Sequence, residues 1–183
     1  MKSKYNIAFI PLNNSREFIK LSHRFTSIAD KYLLGENSLP HVTISQFMAD
    51  ETEIQALWNK VCSKLTKYTV ELEFNEFSCI TFDNNIYWVS LLPAKVNELV
   101  EINKIIDETL KKETMNSSKK YDPHLTLVNT KNNFYKKLAD NISKTTKLIG
   151  DRFMLSLGVS DEVGQFKKVL FKMEEKPQVS CKI

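Results

Sequence analysis

The chain has 183 residues, of which 42% are hydrophobic and 26% are charged, and its formal net charge at pH 7 is +4. These fractions are close to the averages of folded proteins and exclude a chain that is disordered throughout. The sequence contains no run of about eighteen apolar residues, which excludes a membrane-spanning helix of ordinary length. The modest positive charge is compatible with an anionic substrate but does not require one.

The cysteines and the N-terminus indicate the compartment. Cys62, Cys79 and Cys181 are odd in number and form no Cys-x-x-Cys pair, which is typical of reduced thiols rather than of a disulfide framework or a zinc site. The apolar N-terminal stretch is broken by Pro11 and lacks a small-residue cleavage site, so no signal peptide is predicted. We therefore expect a cytoplasmic protein without membrane association and without an obligate protein partner.

Strands and helices alternate in the predicted N-terminal half. Apolar residues at steps of three and four predict a first helix that ends before Gly35, and Asp50 is the predicted N-cap of a second helix. A hairpin with its turn at Phe82-Asp83-Asn84-Asn85 follows. In chain order the predicted elements are the strand Tyr5–Leu12, the helix Ser15–Leu33, the strand His41–Phe47, the helix Asp50–Leu65 and the hairpin strands Lys67–Ile80 and Ile86–Leu92.

The C-terminal half repeats this order apart from its opening strand. Pro93 is predicted to open a third helix, whose apolar face ends at Leu110. The polar segment Lys111–Lys120 is predicted to be a solvated loop, and the tail from Glu174 is predicted to fray. Between them we expect the strand His124–Val128, the helix Asn132–Thr146 and the strands Arg152–Val159 and Phe166–Met173.

One short motif occurs once in each half. The two segments are Pro40-His41-Val42-Thr43-Ile44 and Pro123-His124-Leu125-Thr126-Leu127, and each begins a short predicted strand. Because residues two apart in a strand point to the same face, each histidine shares a face with its threonine. If the halves are related by an approximate two-fold axis, two imidazoles and two hydroxyls meet in one cleft.

Two imidazoles and two hydroxyls can open a phosphodiester by in-line displacement. One histidine deprotonates the incoming oxygen and the other protonates the departing oxygen, which groups with pKa values near 6.5 can do at neutral pH. Threonine hydroxyls can donate hydrogen bonds to the non-bridging oxygens. The predicted catalytic residues are therefore His41 and His124, and the predicted phosphate-binding residues are Thr43 and Thr126. The scheme needs no metal and no other cofactor.

At these residues the sequence resembles the two-histidine (2H) phosphoesterase superfamily, which includes proteins named 2′-5′ RNA ligases, RNA 2′,3′-cyclic phosphodiesterases and 2′,5′-oligoadenylate phosphodiesterases. The family motif is His-x-Thr/Ser-x with an apolar last residue, and His41–Ile44 and His124–Leu127 match it at every defining position. The order of elements resembles the family from Tyr5 to Met173. Many relatives named for RNA ligation carry a cation close behind the second motif, whereas Lys131 is the first cation here.

The resemblance implies an α+β fold in which two pseudo-symmetric lobes of antiparallel sheet, with outer helices, surround a central cleft. It implies one domain over residues 1–183, to which each intertwined lobe contributes one motif. The implied function is metal-independent opening of 2′,3′-cyclic phosphates, or cleavage of 2′-5′ linkages, in RNA or a small nucleotide. For the cyclic phosphate the sequence favours His124 as base and His41 as acid, although the symmetry of the motifs leaves the orientation of the substrate open.

Further residues are predicted to contact the substrate. In strict alternation, Ser45 and Phe47 share the face of His41, and only one of the hairpin residues Tyr87 and Trp88 can face the cleft and stack on a base. A loop aromatic, Tyr121, precedes the second motif. The phosphate charge is then met by cations near that motif or mainly by the histidines; the candidate cations are Lys131, Lys119 and Lys120.

Three alternatives remain open at this point. A nucleotide- or RNA-binding module of the same fold would bind without turnover, and an unrelated α+β scaffold would leave the repeated motif unexplained. A zinc site of His41, His124 and Asp122 lacks the usual ligand spacing. The third histidine, His23, falls on the polar side of the first helix and is predicted to be a surface residue.

Overall fold

The computed structural model of the chain describes residues 2–82, 85–110, 121–147 and 149–173. These residues form seven strands and four α-helices. The strands are β1 (Lys2–Pro11), β2 (Val42–Asp50), β3 (Thr69–Phe82), β4 (Ile86–Pro93), β5 (Leu125–Thr130), β6 (Ile149–Ser160) and β7 (Phe166–Lys172). The helices are α1 (Ser15–His23), α2 (Ile54–Lys64), α3 (Asn97–Leu110) and α4 (Tyr135–Ser143).

Six of the strands close into an antiparallel ring. Their order is β1-β2-β5-β4-β3-β6, and β6 pairs in turn with β1, while β7 is added to β6. The fold class is thus α+β with antiparallel sheet, as predicted. None of the helices in the described ranges is both long and apolar enough to cross a lipid bilayer.

The chain order of the elements repeats once, with the boundary between β3 and β4. Each half reads strand, helix, strand, helix, strand, and β7 is an addition at the end. The last strand of each half is exchanged: β3 pairs with β4 of the second half, and β6 pairs with β1 of the first half. The predicted repeat placed β4 at the end of the first half, whereas this topology makes β4 the opening strand of the second.

The predicted first helix is wrong in its C-terminal part. α1 ends at His23, and the chain then forms a short 3-10 turn at Thr26–Ile28 and an extended segment that pairs with β5. The Asn129 side-chain oxygen accepts hydrogen bonds from the backbone N–H groups of Lys31 and Tyr32, at 2.9 and 2.7 Å. Tyr32 and Leu33 are thus apolar because an extended segment buries them, and their helical spacing is coincidental.

The predicted start of the third helix is also wrong. Pro93 pairs with Phe74 as the last residue of β4, and the N–H of Ala94 still donates to the Glu73 carbonyl at 2.8 Å. The sheet register therefore continues through the proline, and α3 begins only at Asn97. Asp50 forms a capping box with Glu53, but it caps a short 3-10 turn, Glu51–Glu53, that leads into α2, and the N-cap of α2 itself is Glu53.

Several predictions lie outside the described residues. These are the turn residues Asp83 and Asn84, the lysine-rich segment Lys111–Lys120, the tail from Glu174, and Cys181.

The two faces of the ring differ in chemistry. One face packs against the helices and forms the hydrophobic core, to which Phe18, Phe74 and Phe153 contribute mutual edge and tilted ring contacts. On the opposite face, hereafter the helix-free face, the buried residues of β1, β4 and β6 are small or polar: Asn6, Ala8, Ser90, Ser156 and Gly158. A polar, helix-free face is where the two motifs lie.

Candidate active site

The two motif strands meet at one residue pair. Among the described residues, β2 and β5 are joined only at Val42 and Leu125, which are antiparallel partners and fully buried. In this register His41 lies opposite Thr126, and Thr43 lies opposite His124. Val42 and Leu125 point into the core, so alternation directs all four motif side chains to the helix-free face.

Each motif strand carries a β-bulge at the same motif position. The pairing of β2 with β1 skips Ile44, and the pairing of β5 with β4 skips Leu127, the apolar fourth residue of each motif. A bulge bends the strand and re-aims the side chains beside it, which is why bulges are frequent next to active sites.

The carbonyl of each bulged residue accepts a hydrogen bond from a helix of the other half. Ser22 of α1 donates to the Leu127 carbonyl at 2.6 Å, and Asn103 of α3 donates its Nδ2 hydrogen to the Ile44 carbonyl at 2.8 Å. Ser22 is fully buried, and its oxygen also accepts from the N–H of Leu34. Helices of opposite halves therefore hold the two bulges in place.

The first bulge overturns the predicted positions of Ser45 and Phe47. Strict alternation would place both beside His41, but the extra residue Ile44 reverses the phase of the strand. The Ser45 hydroxyl donates to Asp107 of α3 at 2.7 Å, and Phe47 is fully buried in the core, stacked on Tyr5. These two residues lie on the helix side.

Both histidines have the same hydrogen bond at Nδ1. His41 Nδ1 lies 2.7 Å from the carbonyl of Leu39, and His124 Nδ1 lies 2.8 Å from the carbonyl of Asp122. A carbonyl only accepts, so Nδ1 carries the hydrogen in each ring, and Nε2 is left as the nitrogen that can exchange a proton with a ligand.

The surroundings of the two imidazoles differ. His41 is 5% exposed and its ring lies 5.4 Å from the ring of Phe166, whereas His124 is half-buried. Burial lowers the pKa of His41 to about 4; the hydrogen bond to Leu39 opposes this shift, and the charge of His124 adds to it. The electrostatic effect of His124 on His41 is consistent with their meeting at one place. In the free protein His41 is neutral at pH 7.

Phe166 reaches His41 because Gly158 has no side chain. A Cβ atom on Gly158 would lie 2.4 Å from Phe166 Cζ and 2.1 Å from the backbone oxygen of Lys168. The carbonyl of Phe166 accepts from the N–H of Leu39, whose own carbonyl accepts from His41. β7 therefore supports His41 through the ring of Phe166 and through the Phe166 carbonyl, which holds Leu39 in place.

The threonine hydroxyls are half-exposed and have buried polar neighbours. The Asn6 amide of β1 donates to Thr43 Oγ1 at 3.1 Å, and the Ser90 hydroxyl of β4 lies 3.4 Å from Thr126 Oγ1 as its donor. Tyr121 lies beside the first motif: its hydroxyl donates to the backbone carbonyl of Thr43 at 2.8 Å. Burial raises the pKa of Tyr121 and keeps it a neutral donor.

The two hairpin aromatics point to opposite faces. Tyr87 stacks on Tyr135 of α4, with ring centroids 4.2 Å apart, and so belongs to the helix side. Trp88 alternates with it and shares the helix-free face with Ser90; its ring makes an edge contact with Tyr32 at 5.5 Å. Trp88 is therefore the aromatic on the side of the motifs.

The structure does not bring Lys131 near the motif histidines. It follows the far end of β5, seven residues from His124, which is about 20 Å along an extended strand. Its ammonium group lies 3.7 Å from Asp30. His23 Nε2 lies 2.9 Å from the Leu34 carbonyl, outside the group of four motif residues.

The described residues around the motifs do not form a metal-ligand cluster. Within the described ranges no three His, Cys, Asp or Glu side chains are grouped so that they could hold a metal ion, so Asp122 does not complete a zinc site. A cavity of about 500 Å³ lies on the helix side, between β3, α1 and α4, and it contains Cys79 but no motif residue. Burial raises the pKa of the Cys79 thiol, so it is not an activated nucleophile.

Sequence reasoning missed five residues of this region. Asn6 and Ser90 interrupt apolar strand segments, and such a polar residue inside a buried run is the signal that would have found them. Ser22, Asn103 and Phe166 act through contacts between distant segments, which no local pattern indicates.

The sequence matches no protein-family model and no curated protein. The fold, however, is similar to solved structures over nearly the whole chain. E. coli LigT complexed with 3′-AMP superposes with a TM-score of 0.60 at 12% identity, covering 95% of this chain and 97% of LigT. E. coli LigT complexed with phosphate gives 0.58 at 12% identity, covering 94% and 96%. A crystal structure described as a phosphoesterase gives 0.56 at 12% identity, covering 94% and 98%. The chain therefore has the same fold as LigT.

Proposed function

We propose that this chain is a metal-independent phosphodiesterase that acts on RNA or oligonucleotide ends. It opens 2′,3′-cyclic phosphates or cleaves 2′-5′ linkages by acid–base catalysis with His41 and His124. The observation that carries the proposal is the pairing of Val42 with Leu125, which directs both histidines and both threonines to one face of the ring.

The surroundings of the histidines support a division of roles. His41 is buried and neutral at pH 7, so it is the base that accepts the proton of the attacking oxygen at Nε2. His124 is only half-buried, and it is the acid that gives a proton to the departing ribose oxygen. This assignment reverses the one that the sequence favoured.

Thr43 and Thr126 bind the phosphate between the two rings. Their hydroxyls donate to the non-bridging oxygens, and these hydrogen bonds strengthen as negative charge develops in the trigonal-bipyramidal transition state. A bound phosphate also favours the charged form of the neighbouring imidazole, which helps the base to hold its proton during the step.

The proposed substrate class rests on two observations. The similar fold of LigT has been crystallised with 3′-AMP and with phosphate, which supports a nucleotide phosphate as ligand. Trp88 lies half-exposed on the side of the motifs, where its ring can stack on a base of any identity.

A panel of substrates tests the proposal. The purified protein is incubated in EDTA with 2′,3′-cyclic mononucleotides, an RNA that ends in a cyclic phosphate, and 2′-5′ and 3′-5′ linked oligoadenylates. The His41→Ala/His124→Ala double variant is the control. Chromatography of the products distinguishes a 2′-phosphate, a 3′-phosphate and a cyclic product, and so identifies the bond that is broken.

We expect cleavage of a cyclic phosphate or of a 2′-5′ linkage by the wild type alone. Binding without cleavage would support the nucleotide-binding module instead. Activity that EDTA abolishes and zinc restores would overturn the metal-independent mechanism.

A further inference from the structure

We infer that Asn6 is a positioning residue that keeps the Thr43 hydroxyl as a hydrogen-bond donor toward the phosphate, and that Ser90 does the same for Thr126. The inference rests on the proposed function, because it names residues that act through the two phosphate-binding threonines. Neither Asn6 nor Ser90 belongs to the motifs, and each comes from a strand that neighbours a motif strand.

The direction of the Asn6 bond determines what Thr43 can do. A threonine hydroxyl has one hydrogen to donate and two lone pairs that accept. The Asn6 amide donates to Thr43 Oγ1 at 3.1 Å and so occupies one lone pair. Among the described residues the Thr43 hydroxyl donates to no acceptor, so its hydrogen is available to a ligand oxygen.

Asn6 is costly in its position. It is fully buried in β1 between Tyr5 and Ile7, and its Oδ1 has no hydrogen-bond partner within the described ranges of the chain. A buried acceptor without a partner costs about 1–3 kcal/mol, and asparagine is disfavoured in strands. An apolar residue would stabilise the strand more, so stability alone does not explain the amide.

The hydrogen-bond donors to the two threonines come from positions that are not equivalent in the two halves. Ser90 is the direct partner of Thr126 on β4, whereas the direct partner of Thr43 on β1 is Ala8. Asn6 occupies the position that corresponds to Trp88. Each threonine nevertheless has a buried donor at its oxygen, so the arrangement is not merely a remnant of the repeat.

A double-mutant cycle tests this inference. Asn6→Leu keeps the branched shape of the side chain but cannot donate, and Thr43→Val removes the hydroxyl. We expect Asn6→Leu to lower kcat about tenfold, which is about 1.4 kcal/mol, while the melting temperature is kept or raised. In the Thr43→Val background, Asn6→Leu should have no further effect on kcat/KM. An equal loss in both backgrounds would mean a merely structural role and would overturn the inference.

The second threonine provides an independent cycle with a milder substitution. Ser90→Ala removes one buried hydroxyl of β4. Its effect on kcat/KM should likewise vanish in the Thr126→Val background. Additive effects in this cycle would overturn the inference for Ser90.

A measurement without turnover separates this inference from the proposed function. The affinity for inorganic phosphate is measured by calorimetry for the same variants. If the wild type cleaves nothing but Asn6→Leu weakens phosphate binding only when Thr43 is present, the inference stands and the proposed hydrolysis fails. If the wild type cleaves a substrate but the cycles are additive, the hydrolysis stands and the inference fails. Neither cleavage nor phosphate binding would overturn both.

Discussion

The imidazoles of His41 and His124 have the same hydrogen bond at Nδ1 but different access to water. The carbonyls of Leu39 and Asp122, each two residues upstream, fix the same tautomer in both rings. Phe166 then covers His41 alone, and the resulting desolvation lowers its pKa. Two residues from equivalent motifs thus lie in different environments, which favours different roles for them.

The lowered pKa of His41 predicts an extended acid limb in the pH dependence of kcat/KM. Because burial lowers the pKa of His41 to about 4 in the free protein, we expect kcat/KM not to decrease as the pH falls from 7 to 5. Phe166→Ala exposes the ring to water, so the pKa of His41 should rise toward 6.5 and the acid limb should move to higher pH. NMR titration of the His41 ring in both proteins provides a direct check.

If the acid limb of the wild-type kcat/KM profile lies near pH 6.5 and Phe166→Ala does not move it, the assignment of His41 as base is contradicted. In that case the sequence-based preference for His124 would be restored.

At this scale the motif residues were predictable and their surroundings were not. His41, Thr43, His124 and Thr126 were found because a repeated pattern of reactive side chains is a local signal. The burial of His41 depends on Phe166, which is 125 residues away in the sequence, and on the glycine that lets it approach.

Bulges at Ile44 and Leu127 determine which side chains β2 and β5 present on the helix-free face. Each bulge leaves one residue without a partner on the neighbouring strand. The carbonyl of that residue accepts a hydrogen bond from a helix residue, Ser22 or Asn103. The bulge also shifts the alternation of its strand by one residue, so that Ser45 and Phe47 lie on the helix side instead of sharing the face of His41. Alternation from His41 therefore predicted the strand's faces correctly only up to Thr43.

Removal of a bulge donor should affect both stability and catalysis. Ser22→Ala or Asn103→Leu leaves a buried carbonyl unpaired, so we expect the free energy of unfolding to fall by about 1–3 kcal/mol. The bulge should then relax and turn the adjacent threonine, which lowers kcat. Urea denaturation and steady-state kinetics measure the two effects.

Ser63→Ala is the matched control for Ser22→Ala. The Ser63 hydroxyl donates to a carbonyl of its own helix, at an exposed position. This variant should change neither quantity appreciably, and an unchanged kcat in Ser22→Ala and Asn103→Leu would contradict the role given to the bulges.

The contact of β6 with β7 depends on Gly158. Gly158→Ala would place a methyl group 2.1 Å from the Lys168 backbone oxygen, so β7 must move away and Phe166 must leave His41. We expect a loss of about 1–3 kcal/mol in unfolding free energy, as in an overpacked core, together with a raised pKa of His41. Gly35→Ala, where the new methyl would lie 3.6 Å from His23 Nε2, is the control that should be tolerated. A Gly158→Ala protein as stable as the wild type would contradict this account.

The whole molecule is a ring in which the two halves exchange their last strands. β3 pairs with β4, and β6 pairs with β1. The pairs β3–β6 and β2–β5 close the ring. Each half on its own would contain one motif histidine, one motif threonine and the helix that holds the other half's bulge. The acid–base pair is thus a property of the closed ring.

The order of elements and the repeat were predictable from periodicity, but the closure was not. No local pattern indicates that β3 and β6 change places or that β2 meets β5 at Val42 and Leu125. The extended segment at Tyr32, which pairs with a strand, was predicted to be helix. The spacing of apolar residues indicates which side chains are buried, but it does not indicate which element buries them.

Because the two halves act as one unit, the histidine substitutions should not be additive. A single His→Ala change removes either the base or the acid and should lower kcat/KM by about 10²–10⁴-fold. The double variant should be nearly as active as the weaker single variant, since the second loss removes nothing that still works.

The most direct test of the account is therefore the hydrolysis rate of one cleaved substrate, in EDTA, by the wild type, His41→Ala, His124→Ala and the double variant. His23→Ala, which changes the one histidine outside the motifs, is the control and should retain kcat/KM within a few-fold. We expect both single variants to lose about 10²–10⁴-fold in kcat/KM and the double variant to lose little more. Activity near the wild-type level in either single variant would contradict the claim that His41 and His124 form one catalytic pair.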